Sequence, residues 1–389
     1  MRIYFKNLDG LRFFAAFLVL LHHANFFKSI NSYSLSSVFS EYLVQSGVLG
    51  VNLFFVLSGF LISYLLFTEK KITNTVSLKK FYIRRALRIW PLYFAYGLII
   101  ICGTPIFFKF LNIQIGIITF SEIITDLFFL LLFAVNIQLT FFSYNKAIVE
   151  ILWSVCVEEQ FYLIWPLLVK KFFNKITKLI FWVFIFGMIS KIILHLSTIY
   201  FGLSQAFMMR FDYVMLTNKV QLFAAGMAAA YVHFNKEKYE IQINFLQKKP
   251  IQYILIIFTL AFIFTNNFYL PIKGLKYYYL TDYISAILFG FIILNIVQEK
   301  SVLNLEYPIL KTLGKISFGI YLFHPPVCRL IITFMTKFLK IPDSFIVYDI
   351  IYPLIATIIT SLLAYISYEL YEKKFLLLKN RFAIVKTRV

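Results

Sequence analysis

The residues that could do chemistry in this chain are a few ionisable groups set in strongly apolar sequence. In LDGLRFFAAFLVLLHHANFF, Arg12 and His23 lie 11 positions apart. At about 100° and 1.5 Å per residue they share one helix face, roughly 16 Å apart, while His22 points about 100° away. Inserting an ionisable group well inside a membrane helix costs on the order of 2.5 to 3.5 kcal/mol, so such a group is expected to face a partner or a wet cavity. The alternative is that Arg12 snorkels to headgroups and His23 bonds a neighbouring helix. A second group is the cluster Arg84, Arg85 and Arg88 in KKFYIRRALRIWPLYF. Positions three and four apart meet on a helix, and a guanidinium fork fits phosphate oxygens bidentately. The same cluster would equally serve as an orientation signal binding anionic lipid.

Adjacent carboxylates, Glu158 and Glu159, open the apolar stretch of WSVCVEEQFYLIWPLLVKK. Counting turns places them at about the depth of His23. Only one can face it, and Glu158 is favoured because it shares a face with Ser154, Tyr162 and Trp165. A carboxylate there would fix the imidazole tautomer and strengthen a histidine base. In GKISFGIYLFHPPVCRL, Ser317, Tyr321 and His324 fall on one face, and Pro325 and Pro326 are expected to kink the helix just after them. Asn52, Ser58 and Gly59 in GVNLFFVLSGFLIS read first as small residues that let helices approach, with Asn52 and Ser58 as possible site support. His195, His233 and Lys191 look like ordinary span-end residues.

The elements that must position these groups are membrane helices. Hydrophobic residues make up 61% of the chain and charged residues 14%, which excludes a soluble domain and predicts an all-α, polytopic helical bundle. Ten spans are expected, at 8–27, 47–67, 89–110, 152–169, 178–196, 218–234, 251–267, 281–297, 316–339 and 346–371. An eleventh stretch, 123–135, is short and carries Asp126. Leaving it uncrossed puts most of the 38 lysines and arginines on one side, which the positive-inside rule makes cytoplasmic together with both termini. Residues 111–151 then form an outer loop with a re-entrant or surface helix. The net charge of +20 is thereby explained by topology, and no nucleic-acid partner is expected. No repeat is visible, so residues 1–389 read as one domain with core motifs over 8–371 and a basic cytoplasmic tail over 372–389. Cys102, Cys156 and Cys328 are far apart in apolar sequence and suggest neither disulfides nor a metal site. Arg12 and the histidines near the end of the first apolar run make it a retained span, not a cleaved signal.

Taken in order, LDGLRFFAAFLVLLHH, GVNLFFVLSGFLIS, FYIRRALRIWPLYF, WSVCVEEQFYLIWP and SFGIYLFHPPV resemble the motifs of the acyltransferase family 3 membrane proteins, over nearly the whole chain. The resemblance implies an inner-membrane O-acyltransferase that moves an acetyl group from cytoplasmic acetyl-CoA to a hydroxyl of an extracytoplasmic carbohydrate or glycolipid, such as O-antigen or another cell-surface polysaccharide. It implies His23 as the catalytic histidine, with Arg12, Glu158 and Glu159 in the site and Arg84, Arg85 and Arg88 at the donor. Acetyl-CoA would be a substrate, and no permanently bound cofactor or metal is implied. Cys156 and Phe318 depart from the commoner serine and tyrosine of the family. The short tail after the last span implies the type without an appended hydrolase-like domain. The rival from another class is a transporter or flippase, with Arg12, His23, the glutamates and Arg329 as a polar path. Against it stand the absence of inverted repeats and the concentration of arginines in one loop.

Overall fold

The structure, a computed structural model, describes residues 2–30, 38–103, 106, 119–142, 147–264, 278–342 and 344–387. Every long element among them is a helix, and the exception to helix is a parallel pair of two-residue strands, Arg2–Ile3 and Lys386–Thr387, which joins the two ends of the chain. Six helical runs are long and apolar enough to cross a membrane, or seven if the bent pair Glu240–Leu246 and Lys249–Phe264 forms one broken span. Val220–Phe234 and Leu280–Ile296 are apolar but shorter, and Leu152–Phe201 is a single run of 50 residues. The ten expected spans therefore meet a described count of six or seven. Continuity across residues 173–175 and the shortness of two helices account for the difference.

Phenylalanine, tryptophan and isoleucine point outward along Ile176–Phe201, including Phe181, Trp182, Ile193 and Ile199, and Ile254 and Phe258 do the same on Lys249–Phe264. A surface this apolar is what lipid contact requires, and with the spans it makes the chain a multi-pass membrane protein. The helix Val38–Thr73 is the exception that defines the core. Its most apolar window is 67% buried, against 22% for Leu152–Phe201, so the other helices pack around it. Gly59 and Gly226 make the closest of these packings possible. A Cβ on Gly59 would come within 2.3 Å of the Phe223 carbonyl oxygen, and one on Gly226 within 2.0 Å of that of Val56. Small residues at a helix crossing therefore carry backbone-to-backbone contact, as expected for Gly59.

The helix bearing His23, Leu8–Ile30, is fixed at its start by Asn7. This residue adopts φ 67°, donates its amide to the Ile296 carbonyl at 2.9 Å and accepts from the Leu305 N–H at 2.7 Å. Its far end is held by a buried ion pair, Lys28 Nζ to Asp349 Oδ1 at 2.6 Å. The ambiguous stretch around Asp126 resolves into the helix Phe120–Leu131, opened by a capping box between Thr119 and Glu122. Twelve residues cannot span a bilayer. Asp126 is buried there and accepts from Gln138 Nε2 at 2.8 Å. Part of the expected loop, 111–118 and 143–146, and the end of the expected span 89–110 fall outside the described residues.

Candidate active site

A basic cavity of about 220 Å³ is walled by the central helix Val38–Thr73 together with Leu8–Ile30, Leu78–Leu98, Leu152–Phe172, Pro308–Lys315, Ser317–Thr333 and Lys373–Lys379. Arg12, Arg85, Arg88, Lys315 and Lys379 line it, together with Ser58, Glu158 and Tyr162. Arg12 is held by Asp9 one turn earlier, at 2.6 Å. Arg85 packs its guanidinium over the rings of Phe81 and Tyr162, each 5.7 Å away, and its buried Nε has no partner among the described residues. The strand pair brings Ile3 and Tyr4 to the wall. Lys379, in the segment expected to be a basic cytoplasmic tail, also lines this cavity.

Arg84 does not join this group. Its guanidinium pairs with Glu69 at 2.9 Å and donates to the Phe382 carbonyl at 3.1 Å. The helical wheel explains the split. With Arg84 at 0°, Arg88 falls near 40° and Arg85 near 100°. A cavity on the Arg85 side leaves Arg84 to the carboxylate at the end of Val38–Thr73.

The expected contact between His23 and a glutamate is absent. Glu158 accepts from the Ser58 hydroxyl, and Glu159 accepts from Trp90 Nε1 at 3.0 Å. Similar depth along two helices does not bring side chains together when a third helix stands between them. Ser58, on the central helix, takes the place beside Glu158 that was assigned to His23.

His23 instead meets His324. Its Nδ1 lies 3.1 Å from His324 Nε2 and 3.0 Å from the Val19 carbonyl oxygen. His324 Nδ1 is itself 3.2 Å from the Ile320 carbonyl oxygen. A carbonyl can only accept, so in the neutral pair each Nδ1 carries the proton and His324 Nε2 accepts from His23. That leaves His23 Nε2 as the nitrogen with a free lone pair. Pro325 and Pro326 lie inside the helix Ser317–Thr333, which continues past His324. His22 packs edge-on against His23 with centroids 4.8 Å apart.

Both His22 and His23 line a second cavity, also of about 220 Å³, with Glu150, Trp153, Arg210, Tyr213 and Tyr321. Glu150 lies outside the spans, and burial pushes its carboxyl up to about 7. Tyr321 and Val51 line both cavities and so form the wall between them. The Tyr321 hydroxyl donates to the Ile151 carbonyl at 2.9 Å and lies 2.6 Å from that of Ser154.

Asn52 touches neither cavity. Its amide donates to Asp282 at 2.9 Å and to Ser285 at 3.0 Å, within a buried network. There Lys191 and Lys219 pair with Asp282 at 2.7 and 2.8 Å, and Lys191 also pairs with Asp212 at 3.0 Å. Lys191 is thus an interior ion-pair residue, not the snorkelling residue expected. The signal that would have found the network was the presence of four unlike charges in or beside apolar runs. Glu150, Arg210, Lys315 and Lys379 were missed because they lie in loops, short helices or the tail, where charge is ordinary.

A helical membrane scaffold with a basic cavity on one side of a tyrosine wall and a histidine cavity on the other defines a membrane protein equipped to handle a polyanionic ligand and a proton. The family profile described as an acyltransferase domain matches residues 5–369. The chain belongs to this acyltransferase family 3. It is 28% identical over 351 residues to the peptidoglycan O-acetyltransferase OatA of Listeria monocytogenes serovar 1/2a, covering 85% of this chain and 50% of that protein. It is also 31% identical over 211 residues to the O-acetyltransferase OatA of Staphylococcus aureus, covering 51% of this chain and 32% of that one. The chain thus spans half or less of the length of these relatives. No solved structure matches it.

Proposed function

We propose that this chain is a membrane O-acetyltransferase that takes an acetyl group from acetyl-CoA on the cytoplasmic side and transfers it to a hydroxyl of an extracytoplasmic glycan. The observation that supports this best is the His23 imidazole, whose Nδ1 is engaged by Val19 and His324 so that Nε2 is left as a base at the histidine cavity. The relatives' names carry peptidoglycan as acceptor, which favours it over O-antigen. With ten spans and both termini cytoplasmic, the basic cavity faces inward and the histidine cavity outward in a bacterial inner membrane.

In this reading Arg85, Arg88, Arg12 and Lys379 grip the phosphates of the donor, where paired guanidinium groups are worth most. The acceptor hydroxyl gives its proton to His23 Nε2 as its oxygen attacks the thioester carbonyl. The C–S bond breaks, an O–acetyl bond forms, and the proton passes from His23 to the departing thiolate. His324 and the Val19 carbonyl hold the ring and its tautomer during this exchange. Glu158, bonded to Ser58, sits among the arginines and balances part of their charge.

The test uses purified protein in lipid nanodiscs with radiolabelled acetyl-CoA and a disaccharide of N-acetylglucosamine and N-acetylmuramic acid. Loss of a general base costs about 10²- to 10⁴-fold in rate. His23→Ala is expected to fold, bind acetyl-CoA and lose transfer by that factor, while His22→Ala retains most of it. Normal transfer by His23→Ala, or equal loss in both, removes His23 from the role.

A further inference from the structure

The histidine cavity contains a group that the transfer chemistry does not use. Glu150 ends the short helix Ala147–Glu150 and lines the cavity that holds His23. It is only partly exposed, and its carboxyl makes no hydrogen bond or ion pair with another described residue. A carboxyl at a cavity wall with no bond to a described residue is open to a hydrogen bond from a ligand in that cavity. The rings of Tyr213 and Trp153 line the same cavity with centroids 4.8 Å apart. Aromatic rings and a carboxyl that accepts hydrogen bonds in one cavity suit a pyranose. The ring's C–H face rests on the aromatics while its hydroxyl and N–H groups reach the carboxyl.

We propose that the histidine cavity is a saccharide-binding subsite in which Glu150 takes a hydroxyl or N–H next to the hydroxyl presented to His23, and Tyr213 and Trp153 take the sugar's apolar face. The inference rests on the acetyltransferase reading for the identity of the reacting hydroxyl. The binding site itself stands on the geometry of the cavity. Burial pushes the Glu150 carboxyl up to about 7, and a carboxyl accepts hydrogen bonds when ionised and donates one when protonated.

The experiment is a calorimetric titration of the full chain in nanodiscs with the same disaccharide, without acetyl-CoA, alongside a separate titration with acetyl-CoA. Glu150→Ala is expected to weaken disaccharide binding about tenfold, which is one hydrogen bond's worth, and Glu150→Gln, which keeps an amide there, about threefold. Acetyl-CoA affinity stays unchanged in both. If Glu150→Ala loses both ligands, the isosteric Glu150→Gln decides, and an unchanged disaccharide affinity in it overturns the subsite. No disaccharide binding by the wild type overturns it as well. Wild-type protein that binds the disaccharide without acetylating it removes the transferase reading and leaves the subsite. Acetylation with undiminished affinity in both Glu150 variants does the reverse.

Discussion

The two cavities have the same volume, about 220 Å³, and opposite chemistry. The basic one gathers Arg12, Arg85, Arg88, Lys315 and Lys379 against a few carboxylates, so its interaction with a ligand is dominated by charge. The histidine one holds two imidazoles, a carboxyl, a guanidinium and aromatic rings, so its interaction is dominated by shape and directional hydrogen bonds. Charge attracts a polyanion from a distance and tolerates slack in position. In the proposed function a base must stand within hydrogen-bond reach of one proton, and His23 is held through two contacts, to Val19 and His324. The difference teaches that one scaffold keeps a charged cavity apart from a histidine cavity, with Tyr321 and Val51 between them.

Arginine substitutions should break this comparison hardest. Removing two charge-assisted contacts is expected to raise the KM for acetyl-CoA by about 10²-fold or more in Arg85→Ala/Arg88→Ala, with the saccharide affinity unchanged. Arg84→Ala should behave differently, because it strips the partner from buried Glu69. We expect it to lower stability by about 3 to 5 kcal/mol and to leave the donor KM of the remaining folded protein alone. Steady-state kinetics beside thermal unfolding separates the two, and a raised donor KM in Arg84→Ala would place that residue back at the donor.

The wall offers a sharper cut. Tyr321→Ala removes the ring that lines both cavities, whereas Tyr321→Phe removes only the hydroxyl bonded to Ser154 and Ile151. Opening the wall admits water to the thioester, so acetyl-CoA hydrolysis without acceptor should rise about tenfold in Tyr321→Ala. Tyr321→Phe should stay near the wild-type rate. Equal hydrolysis in the two variants means that the ring is not the barrier.

Much of this was legible in the sequence, for a definite reason. Apolar composition forces helices in lipid, and ionisable groups within them stand out, so the class, Arg12, His23, Arg85 and Arg88 could be read directly. Azimuth could not. Helix counting gives the depth of Glu158 and His23 but not which neighbours lie between them, and the partner of His23 proved to be His324. The same limit hid the Lys191–Asp282 and Lys28–Asp349 pairs, which join residues 91 and 321 positions apart. Nothing in the sequence signals that the basic end pairs with the start of the chain, because a two-residue strand pair leaves no pattern to read.

The smallest effect separates the cavities by pH. Glu150 sits outside the spans, with His22, His23, Arg210 and Tyr213 also lining its cavity, and burial raises its carboxyl from the ordinary 4.5 to about 7. Below pH 4.5 the carboxyl is neutral in folded and unfolded chains and costs nothing. Between 4.5 and 7 the unfolded chain ionises first, so native stability falls as pH rises, and above 7 the loss is complete. The shift sets a ceiling of about 3 kcal/mol, and water reaching the carboxyl through the cavity reduces this to about 1 kcal/mol. Glu150→Gln has no such titration. Its melting temperature relative to wild type should therefore be level at pH 4.5 and higher by a few degrees at pH 8, as read by thermal unfolding in nanodiscs across that range. Arg85→Ala has no reason to change that slope, because it borders the other cavity. A flat difference between Glu150→Gln and wild type would mean that Glu150 is solvated when the saccharide is absent, and would move the aromatic pair to the front of acceptor recognition.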